Sequence, residues 1–489
     1  MSVGAPTLPA LDNRRLPIPV AVFEVLGYLV VVAAAALAFV AGWLTINGAV
    51  VLTVVLLVTL VVMSWVHLGQ GRHPAFLFLC TLTLFQGGRL IAYCLGVEPK
   101  PMRVELMGTY TFNCSRNVQG IVLLCVVLSA LCIYAPCRWN YRRINPPDWR
   151  SVRPFLPYLY LVFFMALSVQ AFKNYRYYEY AQQHGGYLYL YLNHSALAST
   201  VPFVVRVLSQ FTLPVFVALF VFETRRKYLF LLTALYIAAS SFILLLGQRG
   251  ALFALAIALW YVVRVKSNQK PRLLPLAAFV LSLTFGALAI QANRERPDQS
   301  VNLAEDIGSP VDFLAFQGAS LGVTQVAVEY RDLFAPYGVD YLSHEWRDAF
   351  VASDASSYYR GKLFPFDVSA LLSPVTFDLG YGTGGSYIGE AYVLGGIPGV
   401  ITISLLLGAG LRLLYRMSGQ AGALFLVAML LSDVLLMPRG VLLDWFSALL
   451  RNLIVILLLV AGWWVYRVIA STRHSPAGDQ FLSPQAGSA

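Results

Sequence analysis

Long apolar runs recur along the whole chain, and they constrain its fold more than any other feature. A run of about 18 or more apolar residues is long enough to cross a lipid bilayer as a helix. With 12% charged and 58% hydrophobic residues, the 489-residue chain has too few charges to cover a water-soluble surface. We predict an all-α polytopic membrane protein with about twelve transmembrane helices, near residues 20–43, 47–67, 75–96, 118–136, 156–175, 200–222, 228–247, 250–265, 273–291, 386–411, 420–437 and 442–468.

The distribution of Lys and Arg predicts the orientation of these helices. Cations are retained on the cytoplasmic side of membrane proteins, and here they concentrate in alternate connections. Both termini are therefore predicted to be cytoplasmic, and the net charge of +11 reflects topology rather than a nucleic-acid partner. The predicted division is a cytoplasmic segment 1–19, helices 1–9 over 20–291, a large periplasmic loop 292–385, helices 10–12 over 386–468 and a cytoplasmic tail 469–489.

The predicted large loop is acidic and long enough to have structure of its own. It holds six cations and thirteen of the 24 acidic residues of the chain. The stretch from Val311 to Tyr330 is amphipathic, which is typical of a surface helix. We expect short helices that lie over the outer face of the membrane.

Five arginines lie within or at the ends of predicted spans, all in the predicted outer half of the membrane. Ionisable residues are costly there and mark functional sites. One alternative is that they pair with nearby acids, as Asp444 and Arg451 would two helical turns apart. The five outnumber the three acids at this level (Glu390, Asp433, Asp444), which favours an anion such as a lipid-linked diphosphate, because the guanidinium binds phosphate bidentately. The arginines are Arg89, Arg206, Arg249, Arg439 and Arg451.

A glycine-rich stretch precedes the tenth predicted span. It contains five glycines within ten residues, Ser386 and Tyr387 as candidate substrate contacts, and the acid Glu390. Glycines let the backbone approach a ligand closely, although they also serve tight helix packing. Gly395, Gly396, Pro398 and Gly399 follow in the same span and predict a broken or kinked helix that lines a cavity.

Several short motifs resemble one bacterial family. They are Gly-Gln-Arg-Gly at 247–250, Asn-Arg-Glu-Arg at 293–296, Gly-Thr-Gly-Gly-Ser-Tyr-Ile-Gly-Glu-Ala-Tyr at 382–392 and Gly-Gly-Ile-Pro-Gly at 395–399. In this layout, the chain from about residue 160 onward resembles the oligosaccharide repeat-unit polymerases, also called O-antigen or Wzy-type polymerases. The resemblance implies a GT-C-like glycosyltransferase of the bacterial inner membrane, active at the periplasmic face on donor and acceptor glycans carried by undecaprenyl diphosphate. A chain-length regulator and a flippase would be its partners.

Glycosyl transfer of this kind needs a stabilised leaving group and a base. Metal-dependent glycosyltransferases usually present an Asp-x-Asp pair, but in this chain no two aspartates are separated by one residue. We therefore predict that arginines stabilise the leaving group without a metal or other cofactor. Arg249, Arg439 and Arg451 are the first candidates for the diphosphate, followed by Arg206 and Arg89, with Arg294 or Arg296 reaching from the loop. The base is predicted to be Glu390 or else His344. The alternatives are an ion pair that fixes the helix at Glu390 and an ordinary surface histidine at position 344.

Three other functions are compatible with parts of this pattern. An O-antigen ligase would share the donor and the arginines and differ only in its acceptor. A lipid-glycan flippase would carry charges through the membrane to both sides, whereas these arginines stop at the outer half. A non-catalytic membrane scaffold leaves the surplus of arginine unexplained.

Overall fold

The computed structural model describes residues 18–97, 103–106, 110–139, 141–184, 194–245, 250–267, 286, 310–348, 360–372, 374–378 and 382–473. These residues are nearly all helical, and the predicted all-α polytopic membrane fold is confirmed. Ten helical segments among them are long and apolar enough to cross a membrane, and two of these, Phe203–Phe222 and Pro310–Glu329, are each made of two consecutive short helices.

The described residues up to 267 form ten α-helices and one short hairpin. The hairpin strands, β1 (Arg103–Leu106) and β2 (Tyr110–Asn113), pair antiparallel with Arg103 opposite Asn113. A 3₁₀ turn, Arg150–Phe155, leads into the fifth helix. The helices are α1 (Ile18–Val40), α2 (Ile46–His67), α3 (Pro74–Cys94), α4 (Arg116–Arg138), α5 (Leu156–Gln183), α6 (His194–Ser199), α7 (Phe203–Ser209), α8 (Thr212–Phe222), α9 (Arg226–Leu245) and α10 (Gly250–Lys266).

The described residues from 310 onward form nine more α-helices. They comprise six short ones and three long or apolar ones that return to the bundle. The helices are α11 (Pro310–Gln317), α12 (Ser320–Glu329), α13 (Arg331–Phe334), α14 (Gly338–Asp348), α15 (Phe364–Leu372), α16 (Pro374–Asp378), α17 (Tyr387–Met417), α18 (Ala421–Val434) and α19 (Asp444–Arg473).

The predicted spans correspond closely to these helices. The span predicted at 200–222 is two helices, α7 and α8, separated at Gln210 and Phe211. Those predicted at 250–265 and 420–437 are α10 and α18, which are shorter than the others. The span predicted at 273–291 lies outside the described residues except for Gly286.

The stretch 311–330 differs from its prediction. It forms the predicted helices, α11 and α12, but they do not simply lie over an outer face. Every residue from Ser320 to Val328 is buried, and the pair packs against α3, α4 and α17. The polar residues of α12 are buried because they pair within the bundle, as Thr324 does with Gln86 at 3.1 Å.

Hydrogen bonds group the connections between the long helices at two ends of the bundle. At one end Arg72 donates to the Ser267 carbonyl and Lys266 donates to the Glu223 carbonyl, and at the other Arg116 donates to the Leu44 carbonyl. One end, here called the basic end, holds the connections 68–73, 139–155, 223–225 and 418–420. The opposite end, here called the loop end, holds 41–45, 95–115 and 435–443. Arg138 at the basic end donates two hydrogen bonds of 3.2 Å to Glu24, which fixes α1 against α4.

Helix α17 is broken one-third of the way along its length, as the glycines and proline predicted. Gly395 and Gly396 have non-helical backbone angles, and the φ of 61° at Gly396 lies in the region that favours glycine. Arg331 Nε donates to the Tyr392 carbonyl at 3.2 Å, just before the break. A cation is favourable there because carbonyl oxygens are exposed at the end of a helical segment.

Candidate functional site

The turn 435–443 between α18 and α19 is the centre of the candidate site at the loop end. It carries Arg439 and is held to the segment that leads into α17. Gly385 N donates to the Arg439 carbonyl at 2.9 Å, and Tyr387 N donates to the Met437 carbonyl at 3.4 Å. The backbone position of Arg439 is therefore fixed by the glycine-rich segment.

A buried polar network joins this turn to α3, α12 and α17. Gln86 is fully buried, and its Nε2 donates to the Pro438 carbonyl at 2.7 Å and to Ser386 Oγ at 3.0 Å. Its Oε1 accepts a hydrogen bond from Thr324 Oγ1, which lies 2.7 Å from Ser386 Oγ. Ser386 also caps α17 by accepting from Gly389 N at 3.2 Å. Four elements are thus fixed to one another by three side chains.

Arg89 lies where α3 crosses the end of α11. Two glycines face each other there, since a β-carbon at Gly88 would lie 2.3 Å from the Leu314 carbonyl oxygen. A β-carbon at Gly318 would lie 2.2 Å from Arg89 N and 3.0 Å from Arg89 Cγ. The close approach of the two backbones places the Arg89 side chain directly against residue 318.

Arg439 reaches the same place from the turn. Its NH1 donates to Gln317 Oε1 at 2.6 Å, beside Gly318. Its guanidinium carbon lies 5.9 Å from the centre of the Phe85 ring, and Phe85 is one helical turn from Arg89 on the same face of α3. Arg89 and Arg439, both half-buried, therefore converge on the end of α11.

The glycine-rich segment packs against Arg439. A β-carbon at Gly384 would lie 3.7 Å from Arg439 Cγ, and the φ of 76° at Gly384 is a conformation that other residues rarely adopt. A β-carbon at Gly385 would lie 2.5 Å from the Gly440 carbonyl oxygen. These two glycines are required for contact with the turn. A β-carbon at Gly382, in contrast, would make only an ordinary contact, 3.8 Å from Ser369 Oγ.

Glu390 is buried in the first turn of α17, with 3% of its surface exposed. Its Oε2 accepts a hydrogen bond of 2.6 Å from Leu442 N, so the carboxylate ties α17 to the same turn that carries Arg439. The predicted role of Glu390 as a base stays a prediction.

The other predicted site residues lie in different surroundings. Arg206 lies on α7, where its guanidinium carbon is 5.7 Å from the centre of the Phe203 ring. His344 is on α14, where its Nδ1 lies 2.8 Å from the Asp340 carbonyl. Tyr387 is fully buried, and its hydroxyl pairs with Ser129 of α4.

Four predicted site residues lie wholly or partly outside the described residues. Arg249, Arg294 and Arg296 lie outside the described residues, and Arg451 lies in α19 with its side chain outside them. Of the five arginines singled out in the sequence, the described part of the chain brings Arg89 and Arg439 together.

Sequence reasoning missed Gln86, Thr324 and Gln317. A signal for Gln86 was present, because it is a polar residue in an apolar span, one turn from Arg89. Thr324 and Gln317 gave no such signal, since their stretch was read as a surface helix.

The arrangement provides two cations and a nearby carboxylate, held by a buried network at one end of a membrane bundle. Within the described ranges no three His, Cys, Asp or Glu side chains are grouped to hold a metal ion. Two preorganised guanidinium groups can stabilise charge that develops on a phosphate or diphosphate oxygen.

Comparison with known proteins gives one match. The family model described as O-antigen polysaccharide polymerase Wzy matches residues 22–468, nearly the whole chain. No curated protein and no solved structure matches.

Proposed function

Because the chain belongs to the O-antigen polysaccharide polymerase Wzy family, we propose that it joins oligosaccharide repeat units carried on undecaprenyl diphosphate. Membership of this family supports a general role in O-antigen repeat-unit polymerisation, by glycosyl transfer in a membrane. We further propose the lipid-linked donor, the roles of the site residues and the reaction mechanism. We also propose that the protein lies in the inner membrane with its site at the periplasmic face.

The convergence of Arg89 and Arg439 on Gln317 and Gly318 is the observation that carries the proposal. One side chain comes from α3 and the other from the turn between α18 and α19, far away in the sequence, and they meet beside the glycine-rich segment. A diphosphate is the anion that fits a pair of guanidinium groups at the headgroup level. The predicted orientation, with the basic end cytoplasmic, places this pair at the periplasmic face.

The reaction consists of one substitution at the anomeric carbon of the donor. A hydroxyl oxygen of the acceptor sugar forms the new glycosidic bond, the bond from the anomeric carbon to the diphosphate oxygen breaks, and its electron pair leaves with undecaprenyl diphosphate. Arg89 and Arg439 stabilise the negative charge on the leaving group. The proton of the acceptor hydroxyl passes to Glu390 as the general base.

Substitution of Arg439 by Ala tests the proposed diphosphate contact. In a deletion strain that carries Arg439→Ala, we expect lipid core that bears a single repeat unit, with the protein still folded in the membrane. Arg176→Ala is the control, because Arg176 is an exposed residue of α5 paired only at the surface with Glu179 at 2.6 Å. Long-chain glycan from Arg439→Ala would overturn the proposal, and long lipid-linked chains with an unmodified lipid core in the deletion strain would identify a ligase instead.

Glu390→Gln separates a base from a structural contact. The side-chain oxygen of Gln can still accept the Leu442 N–H, so the turn keeps its hydrogen bond, but the amide cannot take a proton from the acceptor. We expect no chain extension while the lipid-linked substrate still binds. Full activity of Glu390→Gln would show that Glu390 only holds the turn, and would move the base elsewhere.

A further inference from the structure

Helix α14 has an apolar face that the protein leaves partly uncovered. Val339 is 75% exposed and Trp346 is 50% exposed. With Leu342 between them, they are spaced three, four and seven residues apart and so share one side of the helix. The neighbouring residue Tyr341 points the other way, into the protein, where its hydroxyl donates to Asp367 Oδ2 at 2.6 Å.

The position of α14 places this face beside the lipid-facing surface of α19. The Trp346 ring stacks on Phe446 with centroids 4.6 Å apart. Phe446 is in the first turn of α19, and Leu453 and Val460 follow at intervals of seven residues on the same side, both exposed. The apolar face of α14 is therefore continuous with a stripe that a multi-pass membrane protein turns toward lipid.

Helix α14 lies near the loop end of the long helices that it contacts. It contacts α19 at the loop end of that helix, and a β-carbon at Gly338 would lie 3.2 Å from Leu394 of α17. Tryptophan is enriched at this level, and short amphipathic helices lie there with the apolar face among the acyl chains.

We propose that the Val339, Leu342 and Trp346 face of α14 is seated in the lipid bilayer, so that this helix is an interfacial membrane contact. The contact itself is independent of the proposed function; only the name of the leaflet, periplasmic, rests on the orientation proposed above. It anchors the segment after α12 next to the break in α17, where Arg331 holds the Tyr392 carbonyl.

Spin-label accessibility in nanodiscs of phosphatidylethanolamine and phosphatidylglycerol tests the contact. A nitroxide is attached at Val339→Cys in a background where the exposed Cys94 is replaced by Ser, since the other cysteines are half-buried or buried. The matched control is Asp340→Cys, exposed one residue further and about 100° around the same helix. We expect the label at 339 to be more accessible to oxygen than to a water-soluble nickel chelate, and the label at 340 to show the reverse.

Two results would overturn the proposal. Equal access of the nickel chelate to both labels would place the whole helix in water. Shielding of the label at 339 from both reagents would mean that protein, such as a second copy of the chain, covers the face. Neither result bears on glycan synthesis, so failure here is distinguishable from failure of the proposed polymerase activity.

Discussion

Gln86 on α3 donates a 2.7 Å hydrogen bond to the carbonyl of Pro438, the residue directly before Arg439. A fully buried side chain thus sets the position of the backbone next to a candidate site residue. The same amide group also binds Ser386 and Thr324, so its loss would leave several buried polar groups without partners.

Gln86→Met keeps the size of the side chain and removes its hydrogen bonds. Leaving a buried polar group without its partner costs about 1–3 kcal/mol, and the turn that carries Arg439 would no longer be fixed to α3. We expect shorter glycan chains and a lower thermal unfolding midpoint in detergent. Gln119→Met is the control, because Gln119 makes a single side-chain bond, to the Cys114 carbonyl at 3.0 Å. Equal effects of the two substitutions would argue against a positioning role.

Substitution of two glycines of the same segment by Ala should affect glycan length differently, with a loss at one position and little change at the other. The β-carbon of Gly385→Ala would meet the Gly440 carbonyl oxygen at 2.5 Å, so the turn must move. Such overpacking costs about 1–3 kcal/mol, and the displacement also changes the position of Arg439. The β-carbon of Gly382→Ala makes only an ordinary van der Waals contact, 3.8 Å from Ser369 Oγ. We expect loss of long glycan with Gly385→Ala and nearly normal chain lengths with Gly382→Ala, measured at matched protein levels in membranes.

The sequence predicted the membrane fold because an apolar run in lipid can hydrogen-bond its backbone N–H and C=O groups only by forming a helix. It also predicted the break in α17, since Gly395, Gly396 and Pro398 disfavour a continuous helix for local reasons. Both features depend on residues that are close in the sequence, which explains why they could be read from it.

The organisation of the site could be predicted only in part. Arg89 and Arg439 were identified because charge in a span is costly, but their meeting at Gln317 depends on the glycine crossing of α3 and α11. Contacts of Gln86 join residues 300 and 352 positions apart, and hydropathy carries no information on such pairing. The polar residues of α12 made it look like a surface helix, although internal hydrogen bonds allow their burial.

The acid stability of the basic end should depend on Glu223. Burial opposes ionisation of this carboxyl, but hydrogen bonds from Arg225 and Tyr160 outweigh burial and lower its pKa from 4.5 to about 2. An acid with a lowered folded-state pKa stabilises the fold fully above its unfolded pKa, and this contribution is lost as the pH falls toward the folded value. Glu223→Gln should therefore lower the unfolding midpoint at pH 7, and its difference from wild type should shrink between about pH 4.5 and 2.

The exposed pair Arg176–Glu179 provides the control for this experiment. Exposed ion pairs contribute about 0–1 kcal/mol, so Glu179→Gln should change the unfolding midpoint little at any pH. A Glu223→Gln difference that stays constant down to pH 2 would show that the ionised carboxylate does not stabilise the basic end.

Glu24 should hold α1 in the bundle without affecting catalysis. Arg138, which is 4% exposed, donates to Glu24 Oε2 at 3.2 Å, and His67 Nδ1 lies 3.0 Å from Oε1. Removing one partner of a buried ion pair costs about 3–5 kcal/mol, because the other charge stays buried. We expect Glu24→Ala to lower the unfolding midpoint and the amount of protein in membranes, while Phe23→Ala, at a position 73% exposed, changes neither.

The glycan made per molecule of surviving Glu24→Ala protein should keep its wild-type length distribution, since this network lies at the basic end and the arginine pair at the loop end. A shortened distribution at matched protein levels would instead connect α1 to the reaction.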